Sequence, residues 1–248
     1  MLDYTPLDHL PSAEELPDSD DIPVDNELQN LIPNLLLASL TLIWPERLDW
    51  FFGVDMGIYY IPNQRYPEPL VPDGFLSIGV ERRKGKRGRL SYVLWEEDNI
   101  APLLALECVS HKYGSEYDEK QKKYAQLGVL YYIIYNPDYW QRHKHEPFEV
   151  YRWVDGEYVR QPGEPFWMPE VGLGIGRAQG TYDDWSREWL YWFDQAGNRF
   201  PSPDEVTIEQ KQRAEKAEQR AEKAEQRAEA MEVMLRRYRE QFGDLPQS

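Results

Sequence analysis

The sequence has very little cysteine and histidine for its 248 residues. Cys108 is its single cysteine, and there are four histidines. One cysteine excludes an internal disulfide and any zinc site built from several cysteines. Because a chain without a disulfide framework is typical of a reducing compartment, the sequence predicts a cytoplasmic protein.

Long apolar runs are also absent. No uninterrupted apolar stretch approaches the roughly 18 residues that a membrane span requires. The N-terminus, MLDYTPLDHLPSAEE, has neither a basic nor an apolar segment, so it predicts no secretion signal. Hydrophobic residues make up 41% of the chain and aromatic residues 14%, which is enough for a packed core. We therefore expect a folded protein without a membrane anchor.

Basic residues are missing from the first 30 positions, which contain nine acids. This Pro- and Asp-rich segment predicts a flexible acidic arm over residues 1–25. The first 30 residues account for more than half of the net charge of −16, whereas residues 31–204 carry only −6. The overall charge disfavours nucleic acid as a partner, because phosphates attract basic surfaces. Its uneven distribution weakens that argument.

Six basic residues crowd residues 82–89, between two predicted strands. Such a cluster is commonly a solvated hairpin tip. The alternative is a loop that contacts phosphates. Under this second interpretation, the predicted substrate-binding residues are Arg82, Arg83, Lys84 and Arg87.

Two helices are predicted in the first half of the chain. Asn26 is a good N-cap for a helix with apolar positions at three- and four-residue intervals over 28–40, and Pro33 would bend this helix or delay its start. The segment from Glu116 to Leu127 has helical character and stops at Gly128, a residue suited to the position after a helix.

The remaining core segments predict strands. Apolar, aromatic and β-branched runs occupy 48–62, 74–80, 90–95, 101–110 and 129–137. Residues 74–80 and 90–95 are expected to form a hairpin around the basic loop, and residues 148–159 a hairpin turning at Asp155 and Gly156. The Trp-rich segment 181–193 is expected to pack as a short helix. This order predicts an α/β core, over residues 26–200, with a mixed sheet.

The C-terminal segment differs from the core. QRAEKAE occurs at 212–218 and again at 219–225, and apolar residues from Ala214 to Phe242 alternate steps of three and four. This heptad pattern predicts one long helix of the coiled-coil type over residues 205–243. The helix could be a solvated single helix, or it could join two copies of the chain. We expect a homodimer formed through this helix.

Glu107 is the acidic residue that packing explains least. It lies among apolar neighbours in the run LLALECV, and a lone buried carboxylate costs several kcal/mol unless it is paired or bound to a cation. A salt bridge to Arg or Lys is one remedy. A divalent metal ion is another, because carboxylate oxygens suit hard cations. Asp73, after Pro72, is a second acid at the start of a predicted strand.

A lysine follows these two acids on the next predicted helix. Glu116, Lys120 and Tyr124 are spaced by four on one helix face. By itself, a Glu–Lys pair at this spacing is commonly a surface pair that stabilises the helix slightly. Two strand carboxylates with a nearby lysine are also what metal-assisted hydrolysis of a phosphodiester requires. The carboxylates hold the ion, and the lysine neutralises charge that develops on the phosphorus oxygens.

These residues carry a resemblance to a known family. Pro72-Asp73, Glu107-Cys108-Val109-Ser110 and the motif Glu119-Lys120 with Tyr124 resemble the Uma-two family of endonucleases, in the PD-(D/E)XK restriction-endonuclease-like superfamily. The resemblance covers roughly residues 25–180. It implies a mixed central sheet flanked by helices, Mg²⁺ (or Mn²⁺) as cofactor and nucleic acid, more often DNA than RNA, as substrate. It also implies catalytic roles for Asp73, Glu107 and Lys120. The metal ligands would be Asp73, Glu107 and the backbone carbonyl of Cys108.

One position departs from the superfamily pattern. The superfamily lysine stands two residues after the glutamate, where this chain has Val109. Lys120 is the best replacement, with Lys122 and Lys123 as alternatives. Glu116 could orient Lys120, and Glu27 on the first helix could add another acid to the site.

Two classes of function follow from this departure. The first is a Mg²⁺-dependent endonuclease. The second is a catalytically inactive relative that uses the same fold for binding or for assembly through the C-terminal helix. The negative net charge and Val109 favour the second class, whereas Asp73, Glu107 and Lys120 favour the first.

Overall fold

The computed structural model describes residues 11–13, 15–16, 26–60, 68–110, 115–143 and 145–243. Most of the predicted acidic arm, residues 1–25, lies outside the described residues. The chain forms two units, residues 1–203 and 204–248. The described elements, in chain order, are α1 (Glu27–Ile43), β1 (Trp50–Val54), β2 (Ile58–Tyr59), β3 (Gly74–Ile78), β4 (Tyr92–Val93), a 3₁₀ turn (Leu94–Glu96), β5 (Leu104–Cys108), α2 (Glu119–Leu127), β6 (Tyr131–Tyr135), α3 (Trp140–His143), β7 (Phe148–Val154), β8 (Glu157–Gln161), β9 (Phe166–Met168), β10 (Leu173–Tyr182), β11 (Trp185–Phe193) and α4 (Pro203–Phe242).

A six-stranded mixed sheet is the centre of the first unit, with strand order β1-β3-β5-β6-β7-β8. The pair β5–β6 is parallel and is connected through α2, whereas the other neighbours are antiparallel. The predicted α/β class with a restriction-endonuclease-like mixed sheet, flanked by helices and followed by a long C-terminal helix, is confirmed.

The central sheet is buried on both faces, which is why β5 has no polar alternation except Glu107. On one face, Leu104, Leu106 and Cys108 pack with α1 and with the strands β10 and β11. On the other face, Ala105 and Val109 pack in the same cluster as Tyr124 of α2 and residues near β2 and β4. The Glu107 side chain, between Ala105 and Val109 in the alternation of the strand, lies on the α2 face.

The predicted first helix is present, and it begins after Asn26. The Asn26 side chain accepts a hydrogen bond from the Gln29 N–H, as an N-cap residue does. The helix continues through Pro33 to Ile43 and does not start late. Its inner side carries Leu36, whose carbonyl accepts a hydrogen bond from the Trp192 indole at 2.9 Å.

The prediction of a short helix within 181–193 is wrong. This segment is the end of β10 and β11, in a three-stranded antiparallel sheet of order β11-β10-β9. Asp183 and Asp184 both have positive φ angles, 51° and 56°, and join Tyr182 to Trp185 in a two-residue turn. Such turns match the twist of a hairpin. The Trp and Tyr residues of β11 are therefore strand residues, in line with their β propensity.

The predicted hairpin of 74–80 with 90–95 is also wrong. β3 pairs with β1 and β5, whereas β4 pairs in parallel with β2. The loop between them is held on one side by the buried carboxylate of Glu97. Arg89 donates to both Glu97 oxygens at 2.9 Å, and Lys84 contacts Oε1 at 2.9 Å. These ion pairs fold the loop onto the 3₁₀ turn, so the two strands do not meet.

The second unit consists of α4, a 40-residue helix from Pro203 to Phe242. Its side chains are exposed from Thr207 to Gln241. Among the described residues, no helix combines the length and the apolar composition needed to cross a membrane.

Close contact between β1 and β3 generates a stability prediction. Gly53 lies opposite Phe75, and a Cβ at Gly53 would come 2.2 Å from Cε1 of the fully buried Phe75 ring. We expect Gly53→Ala to lower the free energy of unfolding by about 1–3 kcal/mol, the usual cost of overpacking. Urea denaturation measures this, and an unchanged midpoint would contradict the tight packing of Phe75 on Gly53.

Candidate active site

The register of β3 and β5 brings the two predicted acids together. Phe75 lies opposite Ala105 and Gly74 opposite Leu106 in this antiparallel pair. One residue further, Asp73 comes opposite Glu107 on the α2 face of the sheet. Residues directly opposite each other in antiparallel strands have Cβ atoms about 5 Å apart. The central sheet therefore places two carboxylates side by side, where β3 begins and β5 ends.

Asp73 is fixed by the backbone of β5. The Cys108 N–H donates to Asp73 Oδ2 at 2.5 Å. Burial raises the pKa of Asp73 well above its usual range, and the negative charge of Glu107 raises it further. The hydrogen bond from Cys108 and the positive charge of Lys120 oppose this shift but do not cancel it. Asp73 is therefore a carboxyl that is costly to ionise without a cation.

Each carboxylate oxygen of Glu107 accepts one hydrogen bond. Lys120 Nζ donates to Oε2 at 2.8 Å, and the Tyr124 hydroxyl donates to Oε1 at 2.5 Å. The Glu107 side chain is only 2% exposed. Burial raises the pKa of Glu107, and the contacts with Lys120 and Tyr124 only reduce that shift. Each carboxylate oxygen still has a second lone-pair direction available for a cation.

Lys120 reaches Glu107 because α2 begins at the right place. Asp118 caps the helix, and Gly128 ends it in the left-handed conformation with φ 91°. Burial lowers the pKa of Lys120, but the attraction of Glu107, Asp73 and Glu116 outweighs burial, so its pKa is raised and it stays charged. Its side chain is 30% exposed, so the ammonium group borders solvent as well as Glu107.

The helix starts three residues later than the sequence predicts. Glu116 precedes α2, in a turn, and its carbonyl accepts a hydrogen bond from Tyr132. Glu116 is 4% exposed, and its charge acts on both Glu107 and Lys120. It therefore contributes to the electrostatics of the site from outside the helix.

Cys108 contributes its backbone to this site. Its thiol is on the opposite face, in the cluster with Leu104 and Leu106, and burial raises the thiol pKa well above the usual value. Its carbonyl, a predicted metal ligand, accepts a hydrogen bond from Gln29 Nε2 at 3.2 Å. Sequence reasoning missed Gln29 and named Glu27 instead, which is exposed on the first turn of α1.

The alternative lysines and the basic loop lie elsewhere. Lys122 and Lys123 are exposed on α2, and Val109 is buried with no charge to offer. In the basic loop, Lys84 is paired with Glu97, as described above. The Arg82 guanidinium lies 3.8 Å from the centre of the Trp50 ring. Arg83 and Arg87 are exposed.

The residues present fit a magnesium ion. The described residues contain no group of three or more His, Cys, Asp or Glu side chains that could hold a metal. Mg²⁺, however, keeps several waters and is commonly bound by one or two carboxylates. Asp73 and Glu107 supply two. Burial is the main cause that raises the pKa of both carboxyls, and a bound cation would favour their ionised forms.

This electrostatic argument generates a stability prediction for Asp73. Because folding raises its pKa, ionised Asp73 disfavours the folded state; the loss begins as pH rises through the unfolded value near 3.9 and is complete above the raised folded value. We expect Asp73→Asn, in EDTA at neutral pH, to unfold at a higher temperature than wild type. Asn can still accept the Cys108 N–H. The difference should disappear below about pH 4.

Addition of Mg²⁺ should reverse the order of stability. At about 100 times its Kd, the ion would stabilise wild type by about 2.7 kcal/mol and Asp73→Asn much less. Asp138→Asn, an exposed position, is the matched control. Isothermal titration of Mg²⁺ or Mn²⁺ measures the same binding directly. Equal Mg²⁺ effects on wild type and Asp73→Asn would contradict a site at Asp73.

Comparison with known proteins identifies the family of this chain. The family model described as putative restriction endonuclease, Uma2, matches residues 21–182. No curated protein matches the chain. Among solved structures, the chain is similar to a putative nuclease belonging to DUF820 from Anabaena variabilis ATCC 29413, at 13% identity and a TM-score of 0.40, over 59% of this chain and 74% of that one. Since the family model covers well over half of the sequence, the chain belongs to the Uma2 putative restriction endonuclease family.

Proposed function

We propose that this protein is a Mg²⁺-dependent endonuclease that hydrolyses phosphodiester bonds of DNA in preference to RNA. The observation that carries the proposal is the direct contact of Lys120 with Glu107, beside Asp73, at the C-terminal end of β5. The preference for DNA rests on the family, whose description is that of restriction endonucleases.

Asp73 and Glu107 would hold the ion, with the Cys108 carbonyl as a further oxygen ligand. When bound, Mg²⁺ supplies Lewis-acid polarisation of the scissile phosphate and acidifies a water molecule. The chain itself orients the carboxylates. The Cys108 N–H fixes Asp73, and the Tyr124 hydroxyl fixes Glu107. Such partners of metal ligands limit their motion and so support a defined geometry.

Lys120 would stabilise the charge that develops on the phosphate. An ammonium group has three N–H donors, and one of them is directed at Glu107. The others are available to phosphate oxygens on the solvent side. Because Glu107 and Asp73 keep the pKa of Lys120 raised, the positive charge persists throughout the neutral pH range. A preorganised cation of this kind favours the transition state over the ground state.

Substitution of these residues tests the proposal. We expect Asp73→Asn and Glu107→Gln to abolish cleavage of plasmid DNA in Mg²⁺, and Lys120→Met to slow it by roughly 10²- to 10³-fold, the cost of removing one transition-state donor. Lys122→Met, on the exposed side of the same helix, is the matched control and should retain full activity. Thermal unfolding of each variant separates loss of chemistry from loss of the fold.

The same assay distinguishes the remaining alternatives. Rates on duplex DNA, single-stranded DNA and RNA of one sequence test the substrate preference, and faster cleavage of RNA would contradict it. If wild type binds DNA but does not cleave it with either Mg²⁺ or Mn²⁺, the protein is a binding module of the same fold. Cleavage unaffected by Asp73→Asn would rule out this active site.

The basic loop generates a separate prediction about substrate binding. We expect Arg83→Gln/Arg87→Gln to weaken DNA binding and to lower the slope of log affinity against log salt by about 2, one for each arginine that no longer binds a phosphate. These exposed residues are chosen because replacing Lys84 would remove one of the ion pairs of the buried Glu97. Arg236→Gln/Arg237→Gln, on α4, is the control. An unchanged slope would leave the loop as solvated surface.

A further inference from the structure

The exposed helix α4 carries a continuous apolar seam. Its 40 residues correspond to a length of about 60 Å at 1.5 Å per residue. The larger apolar side chains near its C-terminal end are well exposed: Met231 is 69% exposed, Leu235 48% and Tyr238 48%. Large apolar side chains exposed together on one helix make a candidate interaction surface.

The seam follows a strict heptad repeat. Taking Ala214 as position a and Ala217 as position d, the apolar residues recur at every a and d position to Phe242. The a positions are Ala214, Ala221, Ala228, Leu235 and Phe242; the d positions are Ala217, Ala224, Met231 and Tyr238. Such a repeat is the signature of helices that wind around each other.

The charges that border the seam are segregated by sign. Over residues 213–232, the g and c positions form a basic flank, and the e and b positions form an acidic flank on the other side. The basic flank consists of Arg213, Lys216, Arg220, Lys223 and Arg227. The acidic flank consists of Glu215, Glu218, Glu222, Glu225, Glu229 and Glu232.

Within a single helix, this segregation is unfavourable. The charged neighbours of Arg220 at three and four residues are Lys216 and Lys223, and those of Glu225 are Glu222 and Glu229. Like charges at this spacing destabilise an isolated helix. Arg213 pairs with Glu209 of its own helix. Most of the other flank residues have no opposite charge three or four positions away, and a second helix would supply one.

We propose that α4 pairs with α4 of a second copy of this chain as a parallel, in-register, two-stranded coiled coil. In a parallel pair, a g residue faces the e residue five positions later on the other helix. Arg213 then faces Glu218 of the partner subunit, and Arg220 faces Glu225 of the partner subunit. Arg227 faces Glu232 of the partner subunit. Each contact occurs twice by symmetry.

The charges select this orientation against the alternative. In an antiparallel pair, g faces g and e faces e, so Arg would oppose Arg and Glu would oppose Glu wherever residues 213–232 of the two helices overlap. The alanines allow the two helices to approach closely, and Met231, Leu235 and Tyr238 supply most of the buried apolar area. The pairing does not depend on the proposed hydrolysis, because its tests measure association only.

Cysteine cross-linking in the full chain tests the orientation. Under oxidation, Ala217→Cys at a d position should form a disulfide-linked dimer, since identical d residues face each other only in the parallel, in-register pair. Gln219→Cys, at an outward-facing f position, is the matched control and should stay largely monomeric in a denaturing gel. Wild type controls for the native, buried Cys108. Absence of the Ala217→Cys dimer would overturn the proposed orientation.

Charge reversal tests the interface itself. We expect Arg213→Glu/Arg220→Glu/Arg227→Glu and Glu218→Arg/Glu225→Arg/Glu232→Arg each to sediment as monomers, and an equimolar mixture to sediment as a dimer. Glu215→Arg/Glu222→Arg/Glu229→Arg changes the net charge as much as the second variant but alters b positions, so it should stay dimeric. Circular dichroism checks that each helix persists. A monomeric wild type would overturn the proposal. So would dimers formed by the Arg→Glu variant alone and by the Glu218→Arg/Glu225→Arg/Glu232→Arg variant alone.

Discussion

The cost of burying charged carboxylates in a central strand is the constraint on which the site of this protein depends. Glu107 lies in the middle of the sheet with 2% of its side chain exposed, and Asp73 lies opposite. A protein core does not tolerate such charges unless donors or cations compensate them. Nearby groups supply these donors. The Cys108 N–H donates to Asp73, and Tyr124 and Lys120 donate to Glu107.

The contacts of Asp73 and Glu107 offset the cost of burying these two carboxylates only in part. Hydrogen bonds and Lys120 reduce the rise in the pKa of Glu107 without removing it, and the pKa of Asp73 stays well above its usual range. The buried pair of Glu97 and Arg89 is a contrast within the same fold. Burial acts on Glu97 too, but Arg89 and Lys84 outweigh it, so the pKa of Glu97 is lowered. The chain therefore favours the ionised form of Glu97, whereas burial disfavours the ionised forms of Asp73 and Glu107.

The sequence predicts those parts of the structure that depend on local pattern. In the run around Glu107, residues that point to either face of the sheet are apolar, because β5 is buried on both faces. Asn26 and Gly128 mark helix ends by their own backbone preferences. The spacing of Lys120 and Tyr124 also survives, since both contact Glu107. The expected start at Glu116 failed because Asp118 caps the helix instead.

Contacts between separated segments, and one turn without its usual glycine, explain the remaining errors. The hairpin expected around the basic loop is replaced by ion pairs to Glu97, which no periodicity encodes. Gln29 contacts the Cys108 carbonyl across 79 positions of sequence. Aspartates in the turn at 183–184 adopt positive φ without the glycine that usually signals such a turn. For the loop and for Gln29, the deciding partner lies 8 or 79 positions away in sequence. The turn is local, but its sequence lacks the residue type that usually marks it.

Lys120 shows how a positive charge can reach Glu107 from outside its own strand. On a strand, a lysine two residues after Glu107 would share its face, but Val109 occupies that position among apolar neighbours. The helix that follows returns over the same face, and its first turn brings an ammonium group within 2.8 Å of Glu107. The position of the charge then depends on how α2 packs. Tyr124 and Leu127 anchor that helix in the core, and Tyr124 also bonds to Glu107. The packing of α2 and the arrangement of charges at the site are therefore one structural unit.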